Sequence, residues 1–226
     1  MKENIIIACS KNWFLKKYKK ILKKKNIILI KNQERLNKKS LEKIKPSIIF
    51  FPHWSHKVDK YIVKNYNCIC FHTAPLPYGR GGSPIQNLIK RNFNKSPVCA
   101  FKMTNKLDAG PILLKKTVSL DGDLEQILNR ISKIIIDMMK TIMSKKIVPK
   151  IQKGKVVMFK RIKPNESRIK NEKNIKKIYD KIRMLDSNEY PRAYIMIDKF
   201  KLLLSKAVLN KNIISCNAKI IKIRKY

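Results

Sequence analysis

Four short apolar runs, Asn4–Cys9, Asn26–Ile30, Ser47–Phe51 and Cys68–Phe71, alternate with stretches of helical spacing, and that alternation admits few folds. Each run is rich in Ile or Phe and short enough for a buried strand. Between them, Trp13, Phe14, Tyr18, Ile21 and Leu22 predict a helix over Trp13–Lys25, Leu36–Ile44 reads as a short basic helix, and Asp59–Asn65 as another. Strands separated by helices pair in parallel through right-handed crossovers, so an α/β domain built on a parallel sheet is expected.

After the fourth run comes a Pro- and Gly-rich segment, Thr73–Pro84, followed by a helix over Ile85–Arg91. Loops beyond the carboxyl ends of parallel strands are where such sheets bind ligands. Ser96–Lys102 and Pro111–Val118 predict a strand pair around the turn Lys106–Gly110. Asp123 is placed to cap a long helix carrying Leu124, Ile127, Ile131, Ile135 and Met138 on one face. The pattern breaks at Pro149. The expected division is therefore a domain over residues 1–150 and a small C-terminal subdomain over 151–226, with a helix at Ile175–Leu185 and strands at Ala193–Ile197 and Lys201–Leu204.

The 226 residues carry 53 Lys and Arg against 15 Asp and Glu, a formal charge of +38. Such an excess suits a polyanion such as RNA. Lys is nevertheless spread over the whole chain beside abundant Ile and Asn, as AT-rich coding produces without selection for binding, and both readings stand. No run reaches the roughly 18–20 apolar residues of a membrane span, so no membrane partner is expected. The start of the chain lacks a secretory pattern. Five cysteines without a CxxC pair make a poor disulfide framework and point to reduced thiols in the cytoplasm.

Two stretches can carry chemistry. In Phe71-His72-Thr73-Ala74-Pro75-Leu76-Pro77-Tyr78-Gly79-Arg80-Gly81-Gly82-Ser83-Pro84, a histidine at a strand's carboxyl end leads into a loop stiffened by proline and opened to close backbone approach by glycine. Asn105-Lys106-Leu107-Asp108-Ala109-Gly110-Pro111 is an acidic turn. Taken singly, His72 reads as a surface histidine and Asp108 as a residue that satisfies turn amides rather than as catalytic groups. His53, His56 and His72 lack the acidic or thiolate spacing of a metal site, and no metal is expected.

Together these segments resemble the folate-dependent formyltransferases, the superfamily of methionyl-tRNA formyltransferase, glycinamide ribonucleotide formyltransferase and the sugar N-formyltransferases. The resemblance rests on Leu76-Pro77-Tyr78-Gly79-Arg80-Gly81-Gly82-Ser83-Pro84, on Leu107-Asp108-Ala109-Gly110, and on the 36 positions from His72 to Asp108. It covers about Ser47 to Leu128 clearly. It implies a Rossmann-like domain, 10-formyltetrahydrofolate as co-substrate, and His72 acting on the tetrahedral intermediate beside Asp108. It also implies a pterin pocket from Phe51, Pro52, His53, Trp54, Ser55 and Leu107, with Pro75, Leu76, Arg80, Gly81 and Gly82 toward the acceptor. One position departs from the family: the Asn two residues before its histidine is Cys70 here, and a thiol is a weak donor. Loss of one oxyanion donor costs roughly 3–4 kcal/mol in other enzymes, so either another donor replaces it, with His53, Ser55 or a loop amide near Gly81 or Gly82 as candidates, or the enzyme is slow or inactive.

For the acceptor, Phe159–Ser167 resembles a segment of sugar N-formyltransferases, and Ile182–Leu185 with Tyr190–Tyr194 is similar to a helix and turn shared across the superfamily. The tail is short for a tRNA-binding domain. The expected acceptor is therefore the amino group of a nucleotide-linked sugar, the alternative is initiator methionyl-tRNA, and a third reading is a basic RNA-binding module without activity. A homodimer is compatible with each.

Overall fold

The structure is a computed structural model and describes residues 3–18 and 26–223. Its centre is a six-stranded sheet in the order β2-β1-β3-β4-β6-β7, formed by β1 (Asn4–Ala8), β2 (Ile27–Ile30), β3 (Pro46–Phe51), β4 (Cys68–His72), β6 (Lys95–Lys102) and β7 (Ile112–Ser119). The first four pair in parallel, as their alternation with helices requires. The last two run antiparallel because the short turn at residues 103–111 joins them directly.

Successive residues of a strand face opposite sides, and each side here has its own core. Ile5, Ile7, Ile48, Phe50 and Ile69 pack with α4 (Pro84–Ile89) and α5 (Leu124–Ser144). Ile6, Ala8, Ile49, Phe51 and Cys68 pack with Leu41 of α2 (Lys38–Ile44) and Ile62 of α3 (Lys60–Asn65). Burial on both sides explains why these strands read as continuous apolar runs. At the head of α5, Asp123 accepts from the Gln126 amide and the Gln126 side chain accepts from the Asp123 amide, a reciprocal cap.

The first helix, α1 (Asn12–Lys17), ends with Tyr18 as its C-cap; the remainder of the helix expected over Trp13–Lys25 falls on residues 19–25, outside the described residues. The segment after α5 is not a free linker. Its strand β8 (Val157–Phe159) pairs with β5 (Tyr78–Gly81) inside the Pro- and Gly-rich segment, and neither strand is evident from the sequence. Farther on, α6 (Ile175–Arg183) leads to the antiparallel strands β9 (Tyr194–Ile197), β10 (Phe200–Asn210) and β11 (Ile213–Lys222). The strand expected at Lys201–Leu204 is thus part of the first half of a longer one. Arg183 docks this part on the sheet domain, donating to the Leu120 and Gly122 carbonyls at 2.6 and 2.9 Å while pairing with Asp180. No helix among the described residues is long and apolar enough to cross a membrane.

Candidate active site

His72 closes β4 at the carboxyl edge of the sheet and is buried. Its Nε2 lies 2.7 Å from the Gly79 carbonyl oxygen. A carbonyl only accepts, so Nε2 carries the proton and Nδ1 is the nitrogen left to exchange one. Gly79 makes this contact possible: its φ is +87°, and a Cβ there would lie 2.8 Å from both the Ala74 side chain and the Phe159 ring. The segment after β4 can fold back over His72 only with glycine at this position.

Asp108 lies in the turn between β6 and β7 with φ +48°, in the left-handed region that Asp tolerates better than most residues. One carboxylate oxygen, Oδ2, accepts from the Gly81 amide at 2.9 Å and stands 3.7 Å from His72 Nδ1. That gap exceeds a hydrogen bond, so each group keeps capacity for a third atom between or beside them. Gln152 secures the turn. Its Nε2 donates to the Asp108 and Gly110 carbonyls at 2.8 Å each, while its Oε1 accepts from Arg80 Nε and Nη2 at 3.1 and 2.7 Å.

Two cavities meet at this pair. One, about 450 Å³, contains His72, Gly81, Gly82, His53, Ser55 and Gln86 in its wall. The other, about 440 Å³, has Asp108 and Leu107 at its edge and Val58, Val63, Phe101 and Met103 around it. Phe51, Trp54 and Cys70 border both. Burial and the nearby Asp108 charge push the Cys70 thiol up to about 12, so it is neutral at the seam, with Sγ 4.0 Å from the Phe51 carbonyl oxygen. Burial, aided by Lys11, pushes His53 down to about 4 and keeps its ring uncharged.

Four buried polar atoms without a protein partner, Trp13 Nε1, His53 Nε2, Trp54 Nε1 and Gln86 Oε1, belong to residues lining the His72-side cavity. Unpaired buried groups are costly, and their concentration here fits a site completed by a ligand or water. Among the residues singled out from the sequence, Phe51, Trp54 and Leu107 reach the Asp108-side cavity, and His53, Ser55, Gly81 and Gly82 the His72-side one. Pro52, Pro75, Leu76 and Arg80 line neither. Leu76 is core, packed with Cys99, Phe101 and Ile112, and the Arg80 guanidinium is turned to Gln152. Sequence reasoning missed Gln86 and Gln152; neither lies in a composition or spacing pattern that marks it.

A solved structure described as methionyl-tRNA formyltransferase from Clostridium thermocellum superposes with a TM-score of 0.92 at 41% identity, covering 98% of this chain and 100% of the other. The chain belongs to the folate-dependent formyltransferase family. The family model for the methionyl-tRNA formyltransferase C-terminal domain matches residues 164–221. A curated methionyl-tRNA formyltransferase of Rickettsia conorii is 31% identical over 189 residues, 80% of this chain and 61% of the relative. The chain spans about three fifths of the length of such curated relatives. A 4-N formyltransferase from Francisella tularensis shares the fold with a TM-score of 0.66 at 14% identity, covering 99% of each chain.

Proposed function

We propose that this formyltransferase-family chain moves a formyl group from 10-formyltetrahydrofolate to the α-amino group of initiator methionyl-tRNA. The observation that carries the chemistry is the facing pair of His72 Nδ1 and Asp108 Oδ2, 3.7 Å apart where two cavities meet. The Asp108-side cavity, walled by Phe51, Trp54, Val58, Val63, Phe101 and Met103, suits the flat apolar faces of a pterin. Bound there, the folate supplies the formyl carbon. The His72-side cavity, with its unpaired polar atoms, is left for the acceptor.

With Nε2 committed to Gly79, a protonated His72 presents Nδ1–H to the oxygen on which negative charge gathers as the amine attacks. An ionised carboxylate only accepts, so Asp108 Oδ2 takes the proton that the amine must lose, directly or through one water. As the tetrahedral intermediate collapses, the bond from the formyl carbon to the folate nitrogen breaks and that nitrogen leaves as tetrahydrofolate with the proton that His72 Nδ1 gives up. The Gly81 amide aims that oxygen. Cys70, a neutral thiol near a backbone carbonyl, is a poor oxyanion donor, which leaves His72 with the larger share of that work.

The acceptor expected from the sequence was a nucleotide-linked amino sugar; the comparisons favour the tRNA alternative. The methionyl-tRNA formyltransferase structure from Clostridium thermocellum is matched at 41% identity over its whole length, whereas sugar N-formyltransferase structures lie at 14–15%. The match includes the tail, which supports the tRNA reading. The test is formyl transfer from 10-formyltetrahydrofolate to initiator methionyl-tRNA and, in parallel, to a panel of amino-sugar nucleotides. Folate-dependent formylmethionyl-tRNA is the expected product. Turnover of a sugar alone would replace the acceptor, and tRNA binding without any turnover would favour the RNA-binding module.

A further inference from the structure

The unpaired polar atoms of the His72-side cavity do not all belong to one place. Trp54 borders the donor cavity as well, and Gln86, on α4, has its amide nitrogen on the Met184 carbonyl. Trp13 and His53 are neighbours, with ring centroids 5.1 Å apart, and each holds one buried nitrogen, Nε1 and Nε2, that no protein atom satisfies. The loop that presents His53 is pinned. Ser10 Oγ donates to the His53 carbonyl oxygen at 3.0 Å and accepts from the Ser55 amide at 3.2 Å. Past Trp13 the cavity adjoins a cleft of about 320 Å³, with Trp13, Leu128 and Glu189 in both walls.

We infer that Trp13 and His53 receive the free hydroxyl of the terminal ribose of the aminoacyl-tRNA acceptor, so that the enzyme tells a ribonucleotide end from a deoxy one. The inference rests on the methionyl-tRNA reading above. An indole N–H only donates, and the His53 ring, kept neutral by burial, carries one N–H and one lone pair. A hydroxyl accepts from Trp13 and then either donates to His53 Nε2 or accepts from it, so it satisfies both atoms with either tautomer. An ammonium cannot accept from Trp13. A phosphate would bring charge to a wall where Lys11, 2.5 Å from Glu189, is already neutralised. The acceptor supplies the hydroxyl, because the ribose carbon next to the one that bears the methionyl ester keeps its oxygen free. With the amine at His72 and the base led outward to the cleft beyond Trp13, that ribose passes between them.

The test is formyl transfer to initiator tRNA charged with methionine at the 3′-oxygen of either a terminal adenosine or a terminal 2′-deoxyadenosine. Wild-type kcat/KM should be at least about tenfold higher for the ribose end, since a site that hydrogen-bonds a hydroxyl disfavours the analogue lacking it. Trp13→Phe keeps a ring in place and removes the N–H, and its ratio should fall most of the way to one because the loss is confined to the ribose acceptor. Thermal unfolding near that of wild type would show the variant folded, and the wild-type comparison stands without it. Equal kcat/KM for the two ends in wild type would overturn the inference while leaving methionyl-tRNA formylation in place, with water alone serving the two nitrogens. A ratio unchanged in Trp13→Phe, with both acceptors slowed alike, would also overturn it and make Trp13 a packing residue. Turnover of an amino-sugar nucleotide with neither tRNA formylated would instead overturn the acceptor reading, and the inference with it.

Discussion

His72 has one ring nitrogen tied to the Gly79 carbonyl and one facing Asp108, and this asymmetry makes the pair testable. Asp108→Asn keeps the size of the side chain and removes its charge. General acid–base help contributes about 10²–10⁴ in rate, so kcat should fall by that order while the Kd for folate stays near wild type. His72→Asn should lose at least as much, and the double variant little more than either alone, if the two act as a unit on one tetrahedral intermediate. A kcat within a few-fold of wild type for Asp108→Asn would reject the assigned role, and multiplicative losses would reject the coupling. Both positions could be singled out in the sequence because Leu76–Pro84, Leu107–Gly110 and the 36 positions between His72 and Asp108 match the family's pattern. Cys70 was legible as a departure, but only the structure shows that its thiol lies between the two cavities and near the Phe51 carbonyl.

At the scale of elements, four parallel strands could be read directly because they are buried on both faces and therefore continuously apolar. Strands β5 and β8 could not, since one is four residues with two glycines and the other three residues after a charged stretch. Their pairing depends on a close approach that local sequence does not encode: Gly81 has φ +104°, and a Cβ there would lie 2.5 Å from the Phe159 carbonyl oxygen. β11 escaped for a different reason, as Lys, Asn and Ser interrupt its apolar residues and most of it is exposed. The stretch read as a boundary also contributes Gln152, whose four contacts tie the Arg80 segment to the Asp108 turn. Gln152→Leu keeps the bulk and removes those contacts, leaving two carbonyls and a guanidinium to find other partners. Each unsatisfied group costs about 1–3 kcal/mol when buried and less when water reaches it, so kcat should drop at least tenfold. Folate affinity should change little, and Gln152→Glu, which keeps the acceptor for Arg80, should recover part of the rate. Equal losses in kcat and in thermal stability across both variants would mark Gln152 as a fold residue with no bearing on Asp108.

For the whole molecule, the formal charge of +38 means that any added positive charge increases self-repulsion, and one buried group resists acquiring it. His53 packs between Trp13 and Phe14, with ring centroids 5.1 and 5.2 Å away, and its pKa falls from 6.5 to about 4 through burial and the charge of Lys11. Between those values the unfolded chain binds a proton at this position that the folded protein excludes. Stability therefore rises with pH across that window, and it is lost progressively as pH falls from about 6.5 toward 4. Below about 4 the folded protein also takes up the proton and this contribution stops changing. Denaturant midpoints measured through the window should show the slope in wild type, superimposed on whatever the carboxylates add. His53→Asn is the informative control because its backbone φ of +54° is one that Asn adopts readily, and because Asn does not titrate. The variant is expected to be less stable at neutral pH for want of the ring's packing, yet its midpoint should depend less on pH between 6.5 and 4. The comparison of slopes, not of absolute stabilities, decides the matter. Identical slopes would mean that His53 takes up its proton as readily in the folded protein as in the unfolded chain, and that the His72-side cavity admits enough water to hydrate the charge.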